Sequence, residues 1–151
     1  MSSDYWTIGD YYQASLATTG YNDISLKFDI TRSATGPKNF KVNISTNGGT
    51  TWSTVSTVTV AQNAAPPTGA GVWNSTTYNS LYTTTIHSFY FPAGVANQAS
   101  LLIRWISTSA ASSFAGSARI DNVQINGTLI PAPGAAALVG LAGLIARRRR
   151  G

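Results

Sequence analysis

The chain contains no cysteine, no glutamate and a single histidine, His87. Without cysteine there is no disulfide scaffold, no cysteine nucleophile and no thiolate metal site. The compartment stays open, because oxidising compartments permit disulfides without requiring them. One imidazole excludes zinc sites built on several histidines and motifs built on paired ones, and a Ser-His-Asp arrangement would have to recruit His87. That residue lies in Ile86-His87-Ser88-Phe89, a strand pattern in which a satisfied, half-buried imidazole is the ordinary outcome. No Glu is present to act as a glycosidase acid or nucleophile, and no two of the five Asp residues have a spacing that points to a pair. These absences argue against an enzyme.

Charge is scarce as well, at 10% of residues. With 17 Ser and 19 Thr, the polar surface must be mostly hydroxyl and amide. The net charge of +5 has the look of a nucleic-acid or membrane signature until it is located, since Arg147, Arg148, Arg149 and Arg150 supply four of the ten basic groups. Residues 1–130 hold six basic against five acidic groups, and Lys27, Arg32, Lys38, Lys41, Arg104 and Arg119 are scattered rather than gathered in a stripe. A nucleic-acid partner is therefore not expected.

What is present favours strands. The chain's 151 residues, 43% of them hydrophobic and 11% aromatic, suffice for one domain with a real core and a tail. Thr, Tyr, Trp, Val and Ile fit a pleated sheet, whereas charged helix formers are nearly missing. Apolar residues alternate with polar ones in Ile24-Ser-Leu26-Lys-Phe28-Asp-Ile30 and in Phe40-Lys-Val42-Asn-Ile44. Asn47-Gly48-Gly49 then supplies residues suited to positive φ in a tight hairpin, before a strand from Trp52 to Val60. Further strands are expected over 11–16, 81–91, 101–107 and 119–125, with an eighth near Tyr5 to Ile8. Leu101 to Ile106, apolar on nearly both sides, reads as a central strand covered by the second sheet and a loop. Short strands joined by Gly, Asn and Ser turns, with no helices between, imply an all-β, antiparallel two-sheet sandwich, with a jelly roll as first choice.

The longest connection is expected at residues 61–80, around Pro66-Pro67, Gly69 and Gly71. In or beside it lie Trp73, Tyr78 and Tyr82, candidates for stacking on the apolar faces of sugar rings. Trp52 and Trp105 read instead as a hairpin residue covering a sheet edge and as core. Asp29, Asp121 and Asn122 are weak candidates for a structural calcium, which prefers hard oxygen ligands. The competing expectation is an ion pair of Asp29 with Arg32 or a bond to a turn amide, and a bend of the last strand at Asp121. No cofactor is otherwise implied.

After Ile130 the composition changes. Pro131-Ala132-Pro133-Gly134 is followed by an apolar run from Ala135 to Ala146, then Arg147 to Arg150 and Gly151. The run is short against the roughly 20 residues of an ordinary spanning helix, and the arginines would stay on the cytoplasmic side. This order of breaker, short hydrophobic helix and basic cluster resembles the PEP-CTERM sorting signal of Gram-negative bacteria, departing from it at Ala132, where that family usually has Glu. The resemblance implies recognition by an exosortase-type membrane enzyme, cleavage near Pro131 to Pro133, transient inner-membrane contact, and delivery to the cell surface or extracellular matrix.

The body also resembles the jelly-roll domains often found ahead of such tails, through residues 19–26, 28–37, 45–52 and 120–123. These stretches are similar to those of galactose-binding-like and carbohydrate-binding sandwiches, and imply architecture rather than ligand. Met1-Ser-Ser-Asp-Tyr-Trp has neither a basic n-region nor an apolar h-region, so the chain is expected to be a fragment or to start at a misassigned Met. The expected organisation is a sandwich over 1–129 and a sorting signal over 130–151. The expected function is non-catalytic: adhesion, matrix structure or glycan contact by an exported surface protein, possession of a polysaccharide partner being one form of it. The alternative is a carbohydrate-binding accessory domain at the C-terminus of an extracellular hydrolase.

Overall fold

A computed structural model describes residues 1–62 and 84–131. The chain is mostly β, folded as two packed sheets. The strands are β1 (Ser2–Ser3), β2 (Tyr11–Leu16), β3 (Tyr21–Arg32), β4 (Asn39–Ser45), β5 (Ser53–Thr59), β6 (Ala61–Gln62), β7 (Ile86–Tyr90), β8 (Leu101–Ser107) and β9 (Ala118–Leu129). A single turn of 3₁₀ helix, Ala93–Val95, lies between β7 and β8. No helix among the described residues is long and apolar enough to cross a membrane.

One sheet runs β1-β9-β3, with the far edge of β3 shared by β7 and β6; the other runs β2-β8-β4-β5. Pairing is antiparallel except at β6, whose Ala61 and Gln62 lie parallel to Thr31 and Arg32. This departs from the expected all-antiparallel sheet, and it arises because the chain enters the edge of β3 directly after β5. The eighth strand is also displaced: Ser2–Ser3 pairs with β9, and Tyr5 to Ile8 form no strand, with a bend at Tyr5 and a turn at Ile8 and Gly9.

Alternation decides which side of each strand is buried. Ile24, Leu26, Phe28 and Ile30 of β3 face Phe40, Val42 and Ile44 of β4 and Leu101, Ile103 and Trp105 of β8, all buried in one core. Each such side chain contributes ~1.5–3 kcal/mol by leaving water. Strand β8 is central, between β2 and β4. Its outer face, Leu102, Arg104 and Ile106, is only half-buried, and the loop around Gly49 and Trp52 lies over Leu102.

That loop, residues 46–52, is longer than a tight hairpin. Ser45 and Asn47 tie it internally: Ser45 Oγ accepts from Gly49 N at 2.9 Å, and Asn47 Oδ1 accepts from Thr51 N at 3.0 Å. Gly48 and Gly49 take φ of 69° and 90°, as the sequence suggested.

Two bulges shape the β3·β9 ribbon. Asp23 and Ile24 stand opposite Gly127, and Asn122 and Val123 stand opposite Phe28. The first residue of each extra pair, Asp23 and Asn122, has φ of 49°, the left-handed conformation that Asn and Asp tolerate best among non-glycine residues.

Candidate functional site

Trp73, Tyr78 and Tyr82 lie outside the described residues, as do Ala132, Pro133, Gly134 and Arg147 to Arg150. Pro131 is exposed, immediately beyond the last backbone bond of the body, in which Ile130 N donates to Gly20 O at 2.8 Å.

The structure brings Asp29, Asp121 and Asn122 together. Asp29 and Asp121 are cross-strand partners, and the bulge swings Asn122 so that its Nδ2 donates to Asp29 Oδ2 at 2.6 Å. Asn122 N in turn donates to Asp121 Oδ1 at 2.9 Å. Asp29 is buried, and its Oδ1 has no hydrogen-bond partner among the described residues. A calcium ion takes oxygen ligands at about 2.3–2.6 Å, which spaces neighbouring ligands more widely than a direct hydrogen bond. Here the carboxylate and the amide hold each other, and the amide presents nitrogen. Among the described residues no group of three or more His, Cys, Asp or Glu is disposed to hold a metal. Arg32 does not pair with Asp29; it donates to the carbonyls of Val60, Ser33 and Ala34.

His87 is the cross-strand partner of Phe28 and stacks on its ring, with centroids 5.4 Å apart. Burial pushes the imidazole below its ordinary value of 6.5, with the charge of Asp29 acting the other way. Its buried Nε2 has no hydrogen-bond partner among the described residues. A neutral ring packed on Phe28 is structural, and among the described residues no hydroxyl is placed on Nε2 for it to activate. Tyr12 is likewise structural: burial pushes its phenol up to about 12, and its hydroxyl donates to Ala118 O at 2.9 Å.

Two aromatic arrangements were not legible in the sequence. On the outer face of the second sheet, the Arg104 guanidinium lies 4.1 Å from the ring centroids of both Tyr11 and Trp52. Its Nε donates to Gln13 Oε1 at 2.7 Å, and Trp52 Nε1 donates to Gly49 O at 2.9 Å. Trp52 therefore covers an arginine rather than a sheet edge, whereas Trp105 is fully buried as expected.

At one end of the sandwich, Tyr5 and Phe114 stack with centroids 4.8 Å apart and planes 20° from parallel. They border a cleft of about 310 Å³ that Trp6, Thr7 and the segment 110–113 complete. Only Tyr5 beside Trp6 and Phe114 within a Ser- and Ala-rich segment marked this site in the sequence, and nothing local joins positions 5 and 114.

The fold defines the class of protein, an all-β two-sheet sandwich. Compared with known families and curated proteins, the chain matches no family model and no curated sequence.

Proposed function

We propose that this chain is a non-catalytic β-sandwich module of an exported protein, sorted to the cell surface or extracellular matrix by an exosortase-type enzyme acting on residues 130–151. Its role is adhesion, matrix structure or glycan contact. The observation that carries this reading is the position of the sorting motif. Strand β9 ends at Leu129, and the exposed Pro131 opens the breaker segment that precedes the apolar run and the four arginines. A cut near Pro131 to Pro133 would therefore leave every described strand in the mature protein. Proline there stops a helix from continuing upstream and favours extended backbone at the preceding residue.

Among the described strands the chain crosses from one sheet to the other at every connection except β4 to β5 and β6 to β7, and this repeated crossing, common in jelly rolls, supports that finer assignment. A short hydrophobic helix over the tail completes the proposal. Four arginines are costly to translocate and would hold the C-terminus at the cytoplasmic face. Non-catalytic action is supported by His87, packed on Phe28, and by Asp29, held by Asn122.

The test is processing. With a signal peptide supplied and expression in a host that has an exosortase, mass spectrometry of the mature surface protein should find the arginine cluster removed. Replacing Arg147 to Arg150 with Ser should impair that removal. A mature protein that retains Arg147 to Gly151 would replace sorting with simple anchoring.

A further inference from the structure

We propose that the cleft bordered by Tyr5 and Phe114 binds a neutral saccharide, with a pyranose ring stacked on the exposed aromatic surface. This rests on the glycan-contact reading above and gives it a location built from residues other than Trp73, Tyr78 and Tyr82.

Three observations carry it. The first is exposure: Tyr5 and Phe114 are 62% and 75% accessible, yet their rings are ordered against each other in a nearly parallel stack. Large rings gathered in solvent are unusual, because exposed apolar residues are ordinarily scattered singly.

The second is backbone conformation. Tyr5 has φ of 62°, which a bulky side chain adopts only at a cost. Trp6 next to it is buried, edge-on to Tyr12 and Phe40. Its Nε1 donates to Ser3 O at 2.8 Å, and its carbonyl accepts from Ala111 N at 2.9 Å. The chain beside Tyr5 is thus pinned, and the unfavourable φ turns an aromatic ring out beside Phe114.

The third is the chemistry of the lining. Among the described residues none that lines the cleft is charged: besides the rings they are Ala and the hydroxyl residues Thr7, Ser112 and Ser113. Thr7 Oγ1 donates to Asp10 Oδ2 at 3.0 Å, which orients the lone pairs of that oxygen to accept from a ligand hydroxyl. Aromatic surface for C–H faces, with neutral hydroxyls at its edge, matches a sugar. A phosphate or nucleic acid would require cations that the lining lacks. The volume, about 310 Å³, is at the lower end of the ~300–1,000 Å³ of small-ligand sites and suits a short saccharide segment.

The experiment measures retention of the 151-residue chain on insoluble cellulose, xylan and chitin, with thermal melting and size-exclusion chromatography of each variant. The wild type should be retained on at least one. Phe114→Ala and Tyr5→Asn, the latter keeping a residue that tolerates positive φ, should each weaken that retention at least tenfold. Tyr5→Phe should keep it, and Phe114→Trp, with its larger ring, should hold or strengthen it, a result that misfolding cannot produce. Wild-type retention unaffected by Phe114→Ala would overturn this site while leaving glycan contact elsewhere intact. No retention of the wild type on any of the three would overturn the site together with the glycan-contact reading. A change of elution volume in Phe114→Ala without loss of retention would make the patch a contact between copies and overturn the proposal.

Discussion

Asn122 reaches across the β3·β9 ribbon to donate its side-chain amide to Asp29, 93 residues away in the chain, at 2.6 Å. The bond depends on the bulge, because the left-handed Asn122 backbone, φ 49°, directs the side chain to a carboxylate that is otherwise buried. Asn122→Ala removes the donor and places an unfavourable residue in that conformation. The expected loss is about 2–4 kcal/mol, combining a hydrogen bond to a charged group with the backbone cost. Asn122→Gly removes the same donor without the positive-φ penalty and should lose about 1 kcal/mol less. Urea denaturation of the three proteins measures both values.

Calcium is not expected to stabilise the fold, since Asn122 already occupies the near side of Asp29. Melting temperatures in EDTA and in millimolar calcium should coincide. A rise of several degrees with calcium would mean that the ion displaces the amide, because a ligand that binds only the native state must stabilise it.

His87, the chain's one histidine, gives a clean pH dependence. Its pKa is lowered in the folded protein from 6.5, chiefly by burial, so the unfolded chain takes up the proton first as pH falls. The unfolded state then binds more protons than the native state, and stability declines as pH drops through 6.5 toward the lower folded value. The contribution is fully present above 6.5. His87→Phe should flatten this part of the melting-temperature profile, and the difference between wild type and variant separates it from carboxylate titration at lower pH.

Arg104 is held between Tyr11 and Trp52 by its flat guanidinium, which a lysine cannot reproduce. Two cation–π contacts of about 0.5–1 kcal/mol each set the scale. Arg104→Ala should cost about 1–2 kcal/mol by urea denaturation, and Arg104→Lys should recover less than half of it. A full recovery by Lys would show that charge alone matters there.

The strands were legible because alternation is a local property. Apolar and polar residues alternate in Ile24 to Ile30 and in Phe40 to Ile44, and strands form over both stretches. The long β-rich span also revealed Asn47-Gly48-Gly49 as a turn, although its length depended on bonds from Ser45 and Asn47 that no propensity describes. Expectations failed at the edges. Tyr5 to Ile8 carries apolar residues, but Trp6 is drawn into the core and Tyr5 is turned outward, which breaks the regular φ a strand requires.

What the sequence by itself determined is the all-β character, the positions of the main strands, the scarcity of catalytic groups and the separation of an Arg-ended tail from the body. Each follows from residue type or from spacing within a few positions. Only tertiary structure decided that β6 joins β3 in parallel, that Arg104 lies between Tyr11 and Trp52, that Asn122 satisfies one oxygen of Asp29, and that Tyr5 meets Phe114. The physical reason is register. In a two-sheet sandwich the partner of a side chain is set by which strand lies alongside and by how bulges shift its alignment, and one extra residue at Asn122 is enough to decide what Asp29 touches.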